Sequence, residues 1–234
     1  MPETVAPAQL LDEALLVRFR QRAADYDAQN SFFSEDLEEL VELGYLKIFT
    51  APNASLQAAA AAQRKLATAA PATALAVNMH LVWTGVAKLL KDRGDDSLQF
   101  VLDEATAGEI FAFGNSEAGN DSVLFDSNTR AEPTADGYRF YGRKILTSLS
   151  PAWTKLGVFG KDSSGAEPKL VHGFIDRDQA GYSIAADWDT LGMRASQSNS
   201  TVLDGVEVPS ERIFRKLPVG PNADPLDFCN FCLL

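Results

Sequence analysis

The chain has 234 residues, 46% of them hydrophobic and 23% charged, with a formal net charge of −11. That length holds one large domain or two modest ones and buries roughly 70% of its unfolded surface, so no staples are needed. The acidic balance repels phosphate backbones, which argues against a nucleic-acid partner and leaves solubility as the plain meaning of the charge.

The N-terminal stretch MPETVAPAQLLDEALL has neither a basic region nor a cleavable apolar core, so it is not read as a signal peptide. Leu10, Leu11, Ala14, Leu15, Phe19, Ala23 and Tyr26 recur at helical spacing and predict the first helix. Ser34 is placed to cap a second, SEDLEELVELG, with Glu35 and Asp36 in the turn that the helix dipole makes favourable for anions. Gly44 falls where a C-cap belongs, and residues 45–49 read as a short extended piece. Ser55 caps an alanine-rich third helix that Pro71 closes; a fourth, over residues 72–91, is apolar on most faces and belongs at the centre of a bundle. A fifth covers residues 97–105. No run of ~18 apolar residues is read, so no membrane span is expected, and low cysteine use suits a reducing cytoplasm.

Near Gly108 the helical period gives way to short β-type runs: IFAFG, TRAEP, YRFYG, KILTS, LGVFG, LVHGFID, YSIAA and STVLDGVEV. Asp136-Gly137 signals a hairpin, and Ser163-Ser164-Gly165 and Ala180-Gly181 signal further turns. Helices first and strands second predict an α+β chain with a closed or sandwiched β part. After Pro209 the sequence is proline-rich and loop-like. Cys229 and Cys232 form a C-x-x-C, but His80 and His172 are remote in sequence and no βαβ context surrounds the pair, so neither zinc nor redox function is assigned. The final FCLL does not begin with Cys and is no prenylation box.

Two loops could carry chemistry. Residues 113–122, FGNSEAGNDS, follow a strand and offer backbone N–H groups and small polar side chains to a ligand, without the βαβ setting of a dinucleotide fingerprint. Residues 142–148, GRKILTS, offer Lys144 and then the hydroxyls of Thr147 and Ser148. Read alone, each is equally an ordinary polar turn. His80 on its apolar helix reads as a core or interface histidine, His172 as structural, and Trp83, Trp153 and Trp188 as core or interface residues.

Four pieces in order resemble the acyl-CoA dehydrogenase superfamily. Residues 191–209, LGMRASQSNSTVLDGVEVP, resemble its leucine-glycine-x-arginine corner before a strand ending in Val-Pro. Ser116-Glu117-Ala118-Gly119-Asn120-Asp121 resembles its Glu-Pro-Gly loop, Gly142-Arg143-Lys144 its Gly-x-Lys strand, and Asn78-Met79-His80 a piece of its helical domain. The likeness runs from about residue 10 to residue 214. It implies a helical domain over residues 1–107, a β-barrel or β-sandwich middle domain over 108–212, and a linker entering a C-terminal helical domain over 213–234. It implies FAD, with FMN as the alternative, held by Phe113, Gly114, Asn115, Ser116, Leu146, Thr147 and Ser148. Asn120 and Ser122 would lie nearest the substrate.

The activity implied is oxidation of a CH–CH bond in an acyl-CoA thioester, with hydride passing to FAD. An electron-transfer flavoprotein or a flavin reductase would be the redox partner, and the protein a homo-oligomer. The family's base comes from a C-terminal bundle for which this chain has no counterpart, so no catalytic residue is assigned and no turnover is expected of this chain alone. The loop between Glu117 and Asp121 is about two residues short of the family's, and Leu146 stands where an aromatic residue is common. Both departures resemble the branch that includes reduced-flavin monooxygenases, which is the alternative enzyme. The non-enzyme alternative is a remnant with an exposed apolar patch.

Overall fold

A computed structural model describes residues 7–227 and 229. Helix α1 (Glu13–Gln29) starts where the Asp12 carboxylate accepts the Leu15 N–H at 2.7 Å, and Asn30 ends it in a left-handed turn at φ 50°. Its Leu15, Leu16 and Phe19 are buried. Helix α2 (Ser34–Glu42) begins at the expected serine, although Phe33 occupies the cap position and no side chain caps it.

Residues 45–49 are not extended: Tyr45–Thr50 is a 3-10 helix. Gly44 turns the chain at φ 71°, and the Lys47 N–H closes onto the Gly44 carbonyl. At three residues per turn the pairs Tyr45/Ile48 and Leu46/Phe49 each stack on one side, and all four side chains are buried.

Helix α3 (Leu56–Ala67) is capped by Ser55, as expected. Pro71 opens α4 (Pro71–Lys91), at a position where its missing N–H costs nothing. By length and composition α4 is apolar enough to cross a membrane, but 72% of its apolar window is buried inside the fold, as expected of a helix central in a bundle. Helix α5 spans Gln99–Ala107, with Gly108 at φ 108° closing it.

The strands are β1 (Phe111–Gly114), β2 (Arg130–Thr134), β3 (Gly137–Lys144), β4 (Lys155–Asp162), β5 (Lys169–Asp176), β6 (Tyr182–Ile184), β7 (Thr201–Pro209) and β8 (Ile213–Pro218). They form one sheet in the order β6-β7-β3-β2-β4-β5-β8, with β1 pairing β4 in parallel. The ends of this path, β6 and β8, do not pair. The sheet folds over instead of closing: a methyl at Gly173 on β5 would lie 2.8 Å from Val208 Cγ1 on β7.

Two strand assignments change. Residues 145–148 leave the sheet after β3, because Leu146 adopts a left-handed φ of 56° that no strand tolerates. Conversely, residues 213–218, read as linker, form β8 and pair antiparallel with β5.

The helical and β parts share a core. The Trp83 indole donates to the Ala112 carbonyl at 2.9 Å and lies flat against Gly157, where any Cβ would come within 2.1 Å of the ring. His80 is fully buried, accepts the Phe111 N–H on Nδ1 at 3.0 Å, and therefore donates from Nε2 to the Leu46 carbonyl at 2.9 Å. With both nitrogens used in joining α4 to its neighbours, His80 is structural, as its apolar helix suggests. Cys229 is buried; Cys232 and the final residues lie outside the described residues.

Candidate functional site

A cavity of about 490 Å³ opens where α4, the end of β1, the turn after β3 and residues 188–198 converge. Leu75 and Met79, one helical turn apart, face it from α4. Phe113, Asn115 and Ser116 form a second side, Leu146 and Ser148 a third, and Trp188, Thr190, Met193 and Ser198 a fourth. The lining has no titratable side chain.

Asn115 is buried, yet neither its side-chain oxygen nor its nitrogen has a hydrogen-bond partner. The Thr147 hydroxyl, fully buried, is likewise unpaired. Buried polar atoms are ordinarily satisfied, and each one left over costs roughly 1–3 kcal/mol, so such groups beside a cavity mark a place for a polar ligand. Ser148, Ser198 and Ser196 instead satisfy each other in a chain of hydroxyls at 2.8 and 2.7 Å.

Of the residues carried over from the resemblance, Phe113, Asn115, Ser116, Leu146 and Ser148 line the cavity, and Gly114 and Thr147 sit between them in sequence without lining it. Asn120 and Ser122 lie elsewhere. The Asn120 amide donates to Glu117 Oε2 at 3.1 Å and to the Asp126 carbonyl at 2.7 Å, while its oxygen accepts the Ser122 N–H. Asn120 thus holds the loop's own shape, and Ser122 is exposed.

Beneath the cavity lies an ion pair that the sequence reading did not anticipate. Lys144 Nζ donates to Glu117 Oε1 at 2.6 Å, with side chains 0% and 2% exposed. The same oxygen accepts from the Ser127 hydroxyl at 2.8 Å and from the Thr129 hydroxyl and N–H at 2.6 and 3.0 Å. Oε2 accepts the Asn128 N–H at 2.7 Å. Gly142 makes this possible, since a Cβ there would lie 2.5 Å from the Thr129 hydroxyl. Burial on its own would raise the Glu117 carboxyl, but the Lys144 charge and this ring of donors override it and hold it at about 2. Burial pulls Lys144 down to about 8, against the opposing pull of Glu117. Lys144 Nζ also sits 4.3 Å from the Phe159 ring centre, and His172 stacks on that ring.

The corner at 188–198 is fastened to the end of α1. Arg194 donates from its backbone N–H to the Asp27 carboxylate and from Nε to the Asp27 carbonyl, at 3.2 and 2.8 Å. Gln197 donates to the Asn30 backbone oxygen, and Asn30 donates to the Trp188 carbonyl. Met193 and Gln197, not the glycine of the corner, adopt the left-handed turns, at φ 58° and 43°. Among the described residues no cluster of three or more His, Cys, Asp or Glu could hold a metal ion.

No protein-family model matches the chain. It is 28% identical over 217 residues, 88% of its length, to YdbM of Bacillus subtilis (strain 168), an acyl-CoA dehydrogenase by assignment, of which it covers 56%. It is 33% identical over 118 residues, 49% of its length, to the dibenzothiophene monooxygenase of Rhodococcus erythropolis, of which it covers 27%. Among solved structures, KijD3 in complex with FMN and dTDP-3-amino-2,3,6-trideoxy-4-keto-3-methyl-D-glucose superposes with a TM-score of 0.82 at 25% identity, over 99% of this chain and 61% of that one. The relatives and structural neighbours are acyl-CoA dehydrogenase-fold proteins, and they include the monooxygenase-like branch. The chain spans about half the length of the curated relatives it matches.

Proposed function

We propose that the chain is the flavin-binding part of a flavin-dependent oxidoreductase, and that the cavity between α4, β1 and residues 188–198 takes the cofactor's ring. The observation that carries this is the unpaired Asn115 amide in the lining of a mostly apolar cavity. A flavin ring has an apolar end and an edge of alternating carbonyl and N–H groups. Asn115 supplies one donor and one acceptor for such an edge. Phe113, Leu146, Met79 and Leu75 supply the apolar walls and exclude water. When bound, flavin supplies two-electron redox chemistry, while the protein binds it, orients it and sets its electrostatic surroundings.

Of the two reactions considered, we favour oxygen-dependent monooxygenation by reduced FMN. The likeness to the FMN complex extends over 99% of the chain, and the short Glu117–Asp121 loop and Leu146 point the same way. Acyl-CoA dehydrogenation is the second reading, favoured by the 88% coverage against YdbM. It needs a base to take the α-proton, and the lining residues offer none, so that base would come from outside them.

The test uses the protein with its full natural chain. Reduced FMN from a flavin reductase, oxygen and indole or dibenzothiophene are expected to give an oxygenated product. Reduction of an electron-accepting dye with butyryl-CoA and FAD, and no oxygenated product, would favour the dehydrogenase instead. Binding of neither FMN nor FAD would overturn both readings.

A further inference from the structure

The two polar walls of the cavity come from distant points in the chain. Asn115 and Ser116 follow β1, and residues 146–148 follow β3. Glu117 comes next after the first wall, and Lys144 lies just before the second. The 2.6 Å bond between them therefore ties the walls together directly beneath the cavity. One backbone bond runs parallel to it, from the Ile145 N–H to the Ser116 carbonyl at 2.9 Å.

The surroundings allow the pair little freedom. The Glu117 oxygens are committed to Ser127, Asn128, Thr129, Asn120 and Lys144. Phe159 lies against the ammonium. Charges this dry hold their geometry, because no water can replace a missing partner. By contrast, the Asn115 side chain has no hydrogen bond of its own. Its direction is inherited from the backbone next to the pair.

We propose that Glu117 and Lys144 are positioning residues: their buried bond sets the separation of the two walls and aims Asn115 at the cavity's ligand. The binding arm of this inference rests on the flavin reading above; its structural arm does not.

The experiment compares wild type with Glu117→Gln, with the double variant Glu117→Gln/Lys144→Met, and with Arg139→Ala. The last, on the same strand β3 as Lys144, removes an exposed ion pair to Glu207 on β7. The double variant removes both charges together, so it remains folded even where a single change leaves an unpaired charge. Amide hydrogen exchange without ligand is read first. Faster exchange is expected in residues 113–117 and 145–149 of the Glu117 variants, with β4 and β5 unchanged. Exchange unchanged in those two segments, or raised throughout the molecule, overturns the positioning role.

FMN titration, followed by flavin fluorescence and by the shape of the bound absorption band, is read second. The double variant is expected to bind at least ~10-fold more weakly, one factor of ten being about 1.4 kcal/mol, with a shifted band, while Arg139→Ala matches wild type. Affinity within twofold and an unchanged band in a folded double variant overturn the proposal. If wild type itself binds neither FMN nor FAD, the flavin reading fails while the exchange result still decides the positioning role.

Discussion

On one side of the cavity the chain is held by Glu117 and Lys144, whose side chains are 2% and 0% exposed. On the other side Arg194 and Gln197 reach across to the end of α1 from the edge of solvent, with Arg194 at 24% exposure and its partner Asp189 at 80%. Both devices join segments far apart in sequence, yet the physics differs. In the first, each charge depends wholly on the other, because water cannot replace a lost partner. In the second, water can step in wherever a bond is lost. One wall is therefore fixed all-or-none, and the other can yield by degrees.

The largest expected effect follows from the dry side. Lys144→Ala or Glu117→Ala strands a buried charge and is expected to lower stability by about 3–5 kcal/mol in denaturant unfolding. A loss under ~1 kcal/mol, the range of an exposed pair, would show that water reaches the site and would erase the contrast. Gly142→Ala comes next. Its Cβ would lie 2.5 Å from the Thr129 hydroxyl and 2.9 Å from the Thr129 Cα, so backbone must move and Thr129 loses its hold on Glu117. A cost of about 1–3 kcal/mol is expected. Combined with Lys144→Ala the two losses are expected to add to less than their sum, since both act on one network.

The contrast also explains what the sequence discloses. Five helices and most strands follow from local signals: periodic Leu and Phe on α1, Ser55 at a cap, Asp136-Gly137 at a hairpin. Phe113, Asn115, Ser116, Leu146 and Ser148 were reached through the resemblance of their two loops, and they line one cavity. The pairing of Glu117 with Lys144 had no local signal. A charge on an alternating strand reads as solvent-facing, and only the fold-over of the sheet buries it. Leu75 and Met79 were read as core-helix residues, because a cavity wall and a core face share one spacing. Strand β8 was hidden by its Arg215-Lys216 step and flanking prolines, and the β5 edge that pairs with it is a tertiary fact.

Acid probes the dry side by another route. His172 is held down at about 3 by burial, and by the Lys144 and Arg215 charges; His80 is held at about 4 by burial, partly offset by its bond to Leu46. Both lie below the ordinary value of 6.5. As pH falls below 6.5 the unfolded chain takes up protons that the folded chain refuses, so stability falls with pH. Glu117, held at about 2, adds a further loss as pH drops from 4.5 towards 2. Asp36, raised by burial to about 6 despite Arg22, works oppositely: protonated earlier in the folded state, it gains stability between 6 and 3.8. A melting temperature that declines from pH 6.5 to 4 is expected. His172→Phe removes one of these sites and an unpaired buried Nε2, so a shallower decline and unchanged or higher stability at pH 5 are expected. An unchanged slope would mean His172 is protonated in the folded state.

The smallest stability effect belongs to the corner. Arg194→Ala removes bonds to the Asp27 carbonyl, the Thr190 carbonyl and Asp189, with water available to most of the groups left behind. A loss of about 0.5–1.5 kcal/mol is expected. Salt separates it from the buried pair. In ~1 M salt, where the screening length is ~3 Å, the cost of Arg194→Ala is expected to shrink while that of Lys144→Ala stays unchanged. The ligand result should run the other way. Trp188, Thr190 and Met193 line the cavity on the segment that Arg194 anchors, so a several-fold loss of FMN affinity is expected from a change that hardly alters the melting temperature. If Arg194→Ala instead destabilises as much as Lys144→Ala and shows no salt dependence, the corner is as dry as the ion pair, and both walls are fixed alike.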